Sequence, residues 1–180
     1  MSDPTWVDMT KVKTYPIASR NNKVNVDEHF ATKLETRKSF QKFLDALPNV
    51  LGVESLRGVV DAIVAARKAG RPVVLAIGGH VIKCGLQPVI KSLIEADVIT
   101  AVAMNGSAAI HDFEVSLVGA TSEDVGAVLH DGDFGFAEET GSGMNRALKS
   151  GLDSGIGFGQ AIGQVILEKR HPHCSSSLLA

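Results

Sequence analysis

Two short runs in the middle of the chain carry the residues best suited to hold a ligand. The first is Gly78-Gly79-His80 and the second is Asn105-Gly106-Ser107. Each joins small residues, which let a ligand approach the backbone, to a side chain able to hydrogen-bond. If each run opens a helix, its first amides point outward and favour an anionic group such as a phosphate. A tight strand-to-helix turn would ask for the same glycines without any ligand. The pair of runs favours a site, because consecutive units set both tips side by side at one sheet edge. The dinucleotide fingerprint G-x-G-x-x-G follows neither run, and Gly155-Ile156-Gly157-Phe158-Gly159 echoes it only in part. A G-x-x-x-x-G-K-[ST] run is absent as well, which argues against a P-loop nucleotide hydrolase.

A second group follows closely. His111-Asp112, with Glu114, stands early on a predicted helix beside the Asn105 run. An imidazole next to a carboxylate suits proton transfer or a grip on ribose hydroxyls. Adjacent helix residues point in different directions, so a surface or capping role stands beside the functional one. His130-Asp131-Gly132-Asp133, Glu138-Glu139 and His171-Pro172-His173-Cys174 contain metal-ligand residue types. None has the fixed spacing of a known metal motif, so a solvated loop and a frayed tail are the plainer readings. Lys83 and Cys84 fall near the first run, and Cys84 reads as a small buried apolar residue. No Ser-His-Asp or Cys-His set assembles, so no catalytic residue and no metal ligand is assigned.

The elements that must position these runs are legible as patterns. Val53, Leu56, Val59, Val60, Ile63 and Val64 recur at helical spacing, with Gly70 as the C-terminal stop. The apolar runs 72–77 and 98–104 predict strands buried on both faces. Residues 80–96 read as a helix broken near Leu86-Gln87 by Pro88. Ser107 is the expected cap of a helix carrying Ile110 to Val118 and ended by Gly119. Helix, strand, glycine turn, helix, strand, glycine turn, helix specifies parallel βαβ units. The fold class is therefore α/β: an open, mostly parallel Rossmann-like sheet with helices on both faces.

Outside that centre the patterns thin. Phe40, Phe43, Leu44 and Leu47 suggest a helix stopped by Pro48-Asn49. Thr121 to Asp124 looks like a helix start, Asp131 to Gly135 a loop, and Met144–Leu148 and Phe158–Leu167 are helical. Gly151, Gly155, Gly159 and Gly163 either share one helix face against another backbone or belong to a glycine-rich loop. Residues 1–34 form an N-terminal arm, and 35–180 form the α/β domain.

The bulk properties set outer limits. With 180 residues, 44% apolar and 21% charged, the chain suits one well-buried domain. A formal charge of −2 without a Lys/Arg cluster argues against nucleic acid as a partner. Lys33, Arg37, Lys38 and Lys42 alternate with Glu35 as a solvated helix face does. Cys84 and Cys174 are too far apart for a disulfide framework, which favours a reducing compartment. Without a signal-like N-terminus or a membrane-length apolar run, the expected setting is cytoplasmic.

With these runs in place, the chain resembles the deoxyhypusine synthase family, most closely its bacterial deoxyhypusine synthase-like branch. Gly78-Gly79-His80-Val81-Ile82-Lys83-Cys84-Gly85-Leu86 stands where the family carries T-S-N-[LMV]-[IV]-S-S-G. Asn105-Gly106-Ser107-Ala108-Ala109-Ile110-His111-Asp112 stands where it carries T-A-G-G-V-E-E-D. The correspondence is best from Val53 to Asp124, and the flanking segments fit the same branch. The resemblance implies NAD held by Gly78, Gly79, His80, Asn105, Gly106 and Ser107, and a polyamine held by His111 and Asp112. It also implies transfer of an aminobutyl group from a polyamine such as spermidine to a protein acceptor, and a homo-oligomer, tetrameric in the family. This chain departs from the pattern where Gly79-His80 replaces Ser-Asn and Ile110-His111 replaces Glu-Glu. The family's catalytic lysine lies in a segment beyond these residues, so the chain is expected to be a catalytically incomplete, truncated front half. The alternatives are a nucleotide or small-molecule binder without turnover, and a different polyamine or amidine enzyme on the same scaffold.

Overall fold

Apolar spacing alone places most of the helices found in the structure, a computed structural model that describes residues 8–30, 40, 44 and 52–180. In chain order the elements are β1 (Asn22–Asn25), α1 (Val26–His29), α2 (Gly52–Lys68), β2 (Val74–Ile77) and α3 (Gly79–Lys83). They continue with α4 (Gln87–Glu95), β3 (Ala101–Met104), α5 (Gly106–Val118), β4 (Ala120–Glu123) and α6 (Val125–Val128). The last two are α7 (Glu138–Asp153) and α8 (Phe158–Glu168). The protein is mixed α/β. Its chain divides into two units, Phe30–Ala108 and Met1–His29 with Ala109–Ala180. Phe40 and Leu44 are helical as expected, but the rest of that helix and the Lys33–Lys42 face lie almost wholly outside the described residues.

The unit Phe30–Ala108 holds the parallel pair. β2 and β3 pair in register from Val74 with Ala101 to Ile77 with Met104, and a broken helix connects them. The break falls where the sequence places it, between α3 and α4, with Pro88 in the first turn of α4, where its missing N–H does no harm. Gly70 ends the segment after α2, and Arg71 N–H bonds back to Ala66 O at 2.8 Å. One expectation is corrected: the strands are not buried on both faces. Val74 is 60% exposed, and β3 alternates between exposed and half-buried positions. In a two-stranded sheet each strand is an edge with little to cover it. The apolar stripe of α2 is likewise open, with Leu56, Val59, Val60 and Val64 all exposed.

The other unit is built around α5, α7 and α8. Ala109 and Phe113 on α5, Met144 and Ala147 on α7, and Ile162 and Ile166 on α8 form its apolar core. Each pair recurs at three or four residues, so each helix turns one stripe inward. β1 pairs antiparallel with β4, from Asn22 opposite Glu123 to Asn25 opposite Ala120. The predicted helix start at Thr121 is thus a strand, and the next helix begins only after Asp124. Gly119, at φ +68°, turns the chain from α5 into β4 in a conformation that side chains rarely adopt. Ahead of β1, Tyr15 bridges to Ala137, with Glu138 N–H donating to Tyr15 O at 2.7 Å. Residues Tyr15 to Asn25 are therefore woven into this unit.

The glycine series resolves as helix, turn and helix: Gly151 on α7, Gly155 between, Gly159 and Gly163 on α8. Close approach is the reason at two of them. A Cβ on Gly151 would lie 2.5 Å from Ala161 Cβ, and one on Gly163 would lie 2.2 Å from the carbonyl oxygen of Leu179. The segment Ser177–Leu179 is held there by Asp112, which has no solvent exposure. Its carboxylate accepts from Ser177 Oγ at 2.7 Å, Leu178 N–H at 2.9 Å and Leu179 N–H at 3.0 Å. The expectation of a frayed tail after His171 is therefore overturned: these donors find a buried anion that satisfies them.

Gly163→Ala should destabilise the fold by about 1–3 kcal/mol, the usual range for forcing extra carbon into a packed contact. Gly159→Ala should be neutral or slightly stabilising, because its Cβ meets only the Leu179 side chain, at 3.9 Å. Parallel thermal denaturation measures the difference. Equal melting temperatures would contradict the packing of this segment on α8.

Candidate functional site

The two candidate turns sit together because β2 and β3 run parallel and in register. Ile77 is opposite Met104, so Gly78 and Asn105 leave the same sheet edge as neighbours. Gly78 is extended, at φ −111°, and precedes α3, while Gly79 is buried and His80 is exposed. Asn105, Gly106 and Ser107 are all exposed at the start of α5. The cap of α5 is Asn105, not Ser107 as its type suggests: Asn105 Oδ1 accepts from Ala108 N–H at 2.9 Å. That bond fixes the orientation of the carboxamide. Its Nδ2 then faces the first turn, 3.6 Å from where a Gly78 Cβ would be. The space around Gly106 is open to 4 Å, so a ligand can reach the backbone there. The six turn residues are thus brought to one edge, with an oriented amide donor and an open helix N-terminus. Cys84, expected to be buried, is exposed at the end of α3.

His111 and Asp112 belong to the other unit and point to different partners. Asp112 is the anchor of Ser177–Leu179 described above. His111 Nδ1 lies 2.7 Å from Thr121 Oγ1, which donates its own proton to Glu114 Oε2 at 2.6 Å. His111 therefore donates from Nδ1, and its tautomer is set by that hydrogen bond. Asp112 and His111 do not converge on a common point.

Sequence reasoning named Glu114 beside His111 and Asp112 but passed over the partners that make it the centre of this unit. Glu114, 3% exposed, accepts a bidentate pair from Arg20 at 3.0 and 2.7 Å. Thr140 Oγ1 adds a third donor residue at 3.3 Å, and Arg20 Nε donates to Asn22 Oδ1 at 2.7 Å. Burial alone would raise the Glu114 pKa. The His111 N–H 3.6 Å away, donation from Arg20 and Thr121, and the charge of Arg20 outweigh it and hold the group at about 2. Nearby, the Tyr15 hydroxyl donates to Glu123, which also accepts Gly135 N–H at 3.0 Å. Burial first, and the Glu123 carboxylate second, push Tyr15 up to about 12. Glu139 accepts Ile17 N–H at 2.6 Å. These groups are a structural polar network, and only Arg20 and the paired threonines with Glu114 could have signalled it.

Among the described residues, no group of three or more His, Cys, Asp or Glu is arranged to hold a metal ion. Nor, among them, is any helix long and apolar enough to cross a membrane.

Removing Arg20 strands a buried carboxylate, and Arg20→Met should cost about 3–5 kcal/mol in urea unfolding at neutral pH. Because the folded pKa of Glu114 lies below its ordinary 4.5, its stabilisation is complete above that value and is lost as pH falls towards 2. Glu114→Gln should therefore flatten the loss of stability in that acid window. An unchanged acid limb would show that other carboxylates govern it.

Compared with known proteins, the chain matches no family model, no curated sequence and no solved structure.

Proposed function

We propose that the chain binds a nucleotide-type ligand at the carboxyl edge of β2 and β3, and that the ligand is NAD. The observation that carries this is the in-register pair of glycine turns, with Asn105 Nδ2 oriented by its own capping bond. In this reading Gly78, Gly79 and Gly106 leave room for the ligand, and the first amides of α5 face a phosphate. His80, Asn105 and Ser107 supply side-chain hydrogen bonds. The parallel pair is then the centre of an open Rossmann-like sheet, the arrangement in which ligands gather beyond strand carboxyl ends. The choice of NAD rests on the resemblance to deoxyhypusine synthases, as does a homo-oligomer in which the open stripe of α2 would be covered.

The same resemblance extends the reading to aminobutyl transfer from a polyamine, with His111 and Asp112 at the amine. A second reading, binding without turnover, is favoured by a specific observation. Asp112 is fully buried and holds Ser177–Leu179, and Glu114 is committed to Arg20, so neither carboxylate is presented to a cationic amine.

Calorimetric titration with NAD tests the site, using Asn105→Asp beside the unchanged protein. Aspartate keeps the cap oxygen and so the helix, but replaces the amide donor with negative charge. Saturable binding, weakened at least roughly tenfold in Asn105→Asp, is the expected result. Absence of heat at millimolar NAD would overturn the reading. Spermidine-dependent reduction of NAD, followed by absorbance, then separates the transferase from the binder.

A further inference from the structure

A cleft of about 370 Å³ lies within the segment Ala109–Ala180, and it shares no residue with the two glycine turns. Its apolar wall includes Phe113, Leu117 and Val165, and its charged rim includes Arg146, Lys169 and Glu138. Arg146 and Lys169 are exposed, and neither is ion-paired with a described residue. Glu139 also borders the cleft, where its carboxylate accepts Ile17 N–H. The lining therefore sets Arg146 and Lys169 against Glu138 and Glu139, and Arg146 and Lys169 are the groups open to an anion.

His171 completes the lining, and its tautomer can be assigned. The ring is 6% exposed and stands edge-on to Phe113, with centroids 5.3 Å apart. Ser116 Oγ has one proton and gives it to Phe113 O at 2.6 Å. The contact between Ser116 Oγ and His171 Nδ1, at 2.9 Å, must then be donated by the imidazole. Nε2 is left with its lone pair and no partner among the described residues. Burial, aided by the charge of Lys169, lowers the pKa of the ring and so favours its neutral form. A neutral imidazole held in one tautomer is an acceptor waiting for a hydroxyl or an N–H donor.

We propose that this cleft binds a small hydroxy acid with an apolar body. The carboxylate meets Arg146 and Lys169, the apolar part lies against Phe113 and Val165, and the hydroxyl donates to His171 Nε2. Glu138 and Glu139 at the same cleft disfavour multiply charged anions, so a single carboxylate seated on Arg146 and Lys169 is the match. The volume falls within the usual range for small-ligand pockets. The proposal is independent of the NAD reading, and either can fail without the other.

The probe is 4-hydroxybenzoate, titrated into isotope-labelled protein and followed by amide and histidine-ring nitrogen spectra. Benzoate, which lacks the hydroxyl, and 4-hydroxybenzyl alcohol, which lacks the charge, serve as the comparison arms. Saturable shifts at Gly143, Val165 and His171 are expected, with the ring Nε2 responding to the hydroxy acid but not to benzoate. Arg146→Gln and Lys169→Gln, both surface changes that leave the spectrum folded, should each weaken binding roughly tenfold. Three results would overturn the proposal: no saturable shift at the lining residues, equal binding of the neutral alcohol, or undiminished affinity in both variants.

Discussion

A carboxylate placed away from water must be surrounded by donors, and Glu114 sets that demand at the centre of one unit. Its partners come from distant parts of the chain: Arg20 before β1, Thr121 on β4 and Thr140 on α7. None of those segments can move without uncovering a buried charge, so their positions are fixed together. The apolar core of α5, α7 and α8 supplies the burial, and the network within it decides which strand lies where. Arg20 also explains why residues before β1 cannot be a loose extension. They carry the positive charge that makes the burial of Glu114 tolerable.

This division of labour explains what could be read in advance. The 3.6-residue apolar rhythm gave α2, α5 and α8, and the β-branched runs gave β2 and β3 with their parallel order. β1 and β4 were hidden because most of their inward side chains are polar. Thr121 and Glu123 face inward on β4, opposite Val24 and Asn22 of β1. A pattern search keyed to hydropathy has nothing to find there, since hydrogen bonds rather than apolar contact hold these positions. The segment from His171 to Leu179 was missed for a related reason. Its short polar sequence finds its partners, Ser116 and Asp112, far away along the chain.

The candidate site was legible in its position but less so in its parts. Two glycine turns after two parallel strands do meet at one edge. Within them, the residue that orders the site is Asn105, whose capping bond directs its amide, and the open surroundings of Gly106 matter more than any strain. Adjacent positions on α5 show the opposite lesson. His111 and Asp112 look like a pair in the sequence, yet a helix turns them to different neighbours, and the meaning of each is decided by what it finds there.

The grip of Asp112 on Ser177–Leu179 has an implication for how this segment can vary. Two of the donors from this segment are backbone amides, which every residue except proline supplies. The grip itself therefore asks nothing of the side chains at 178 and 179, although Leu179 also packs against the apolar core, while it depends directly on Asp112 and Gly163. A stretch that looks unconstrained letter by letter can still be held in one place, because the constraint is written on its receptor rather than on the segment itself.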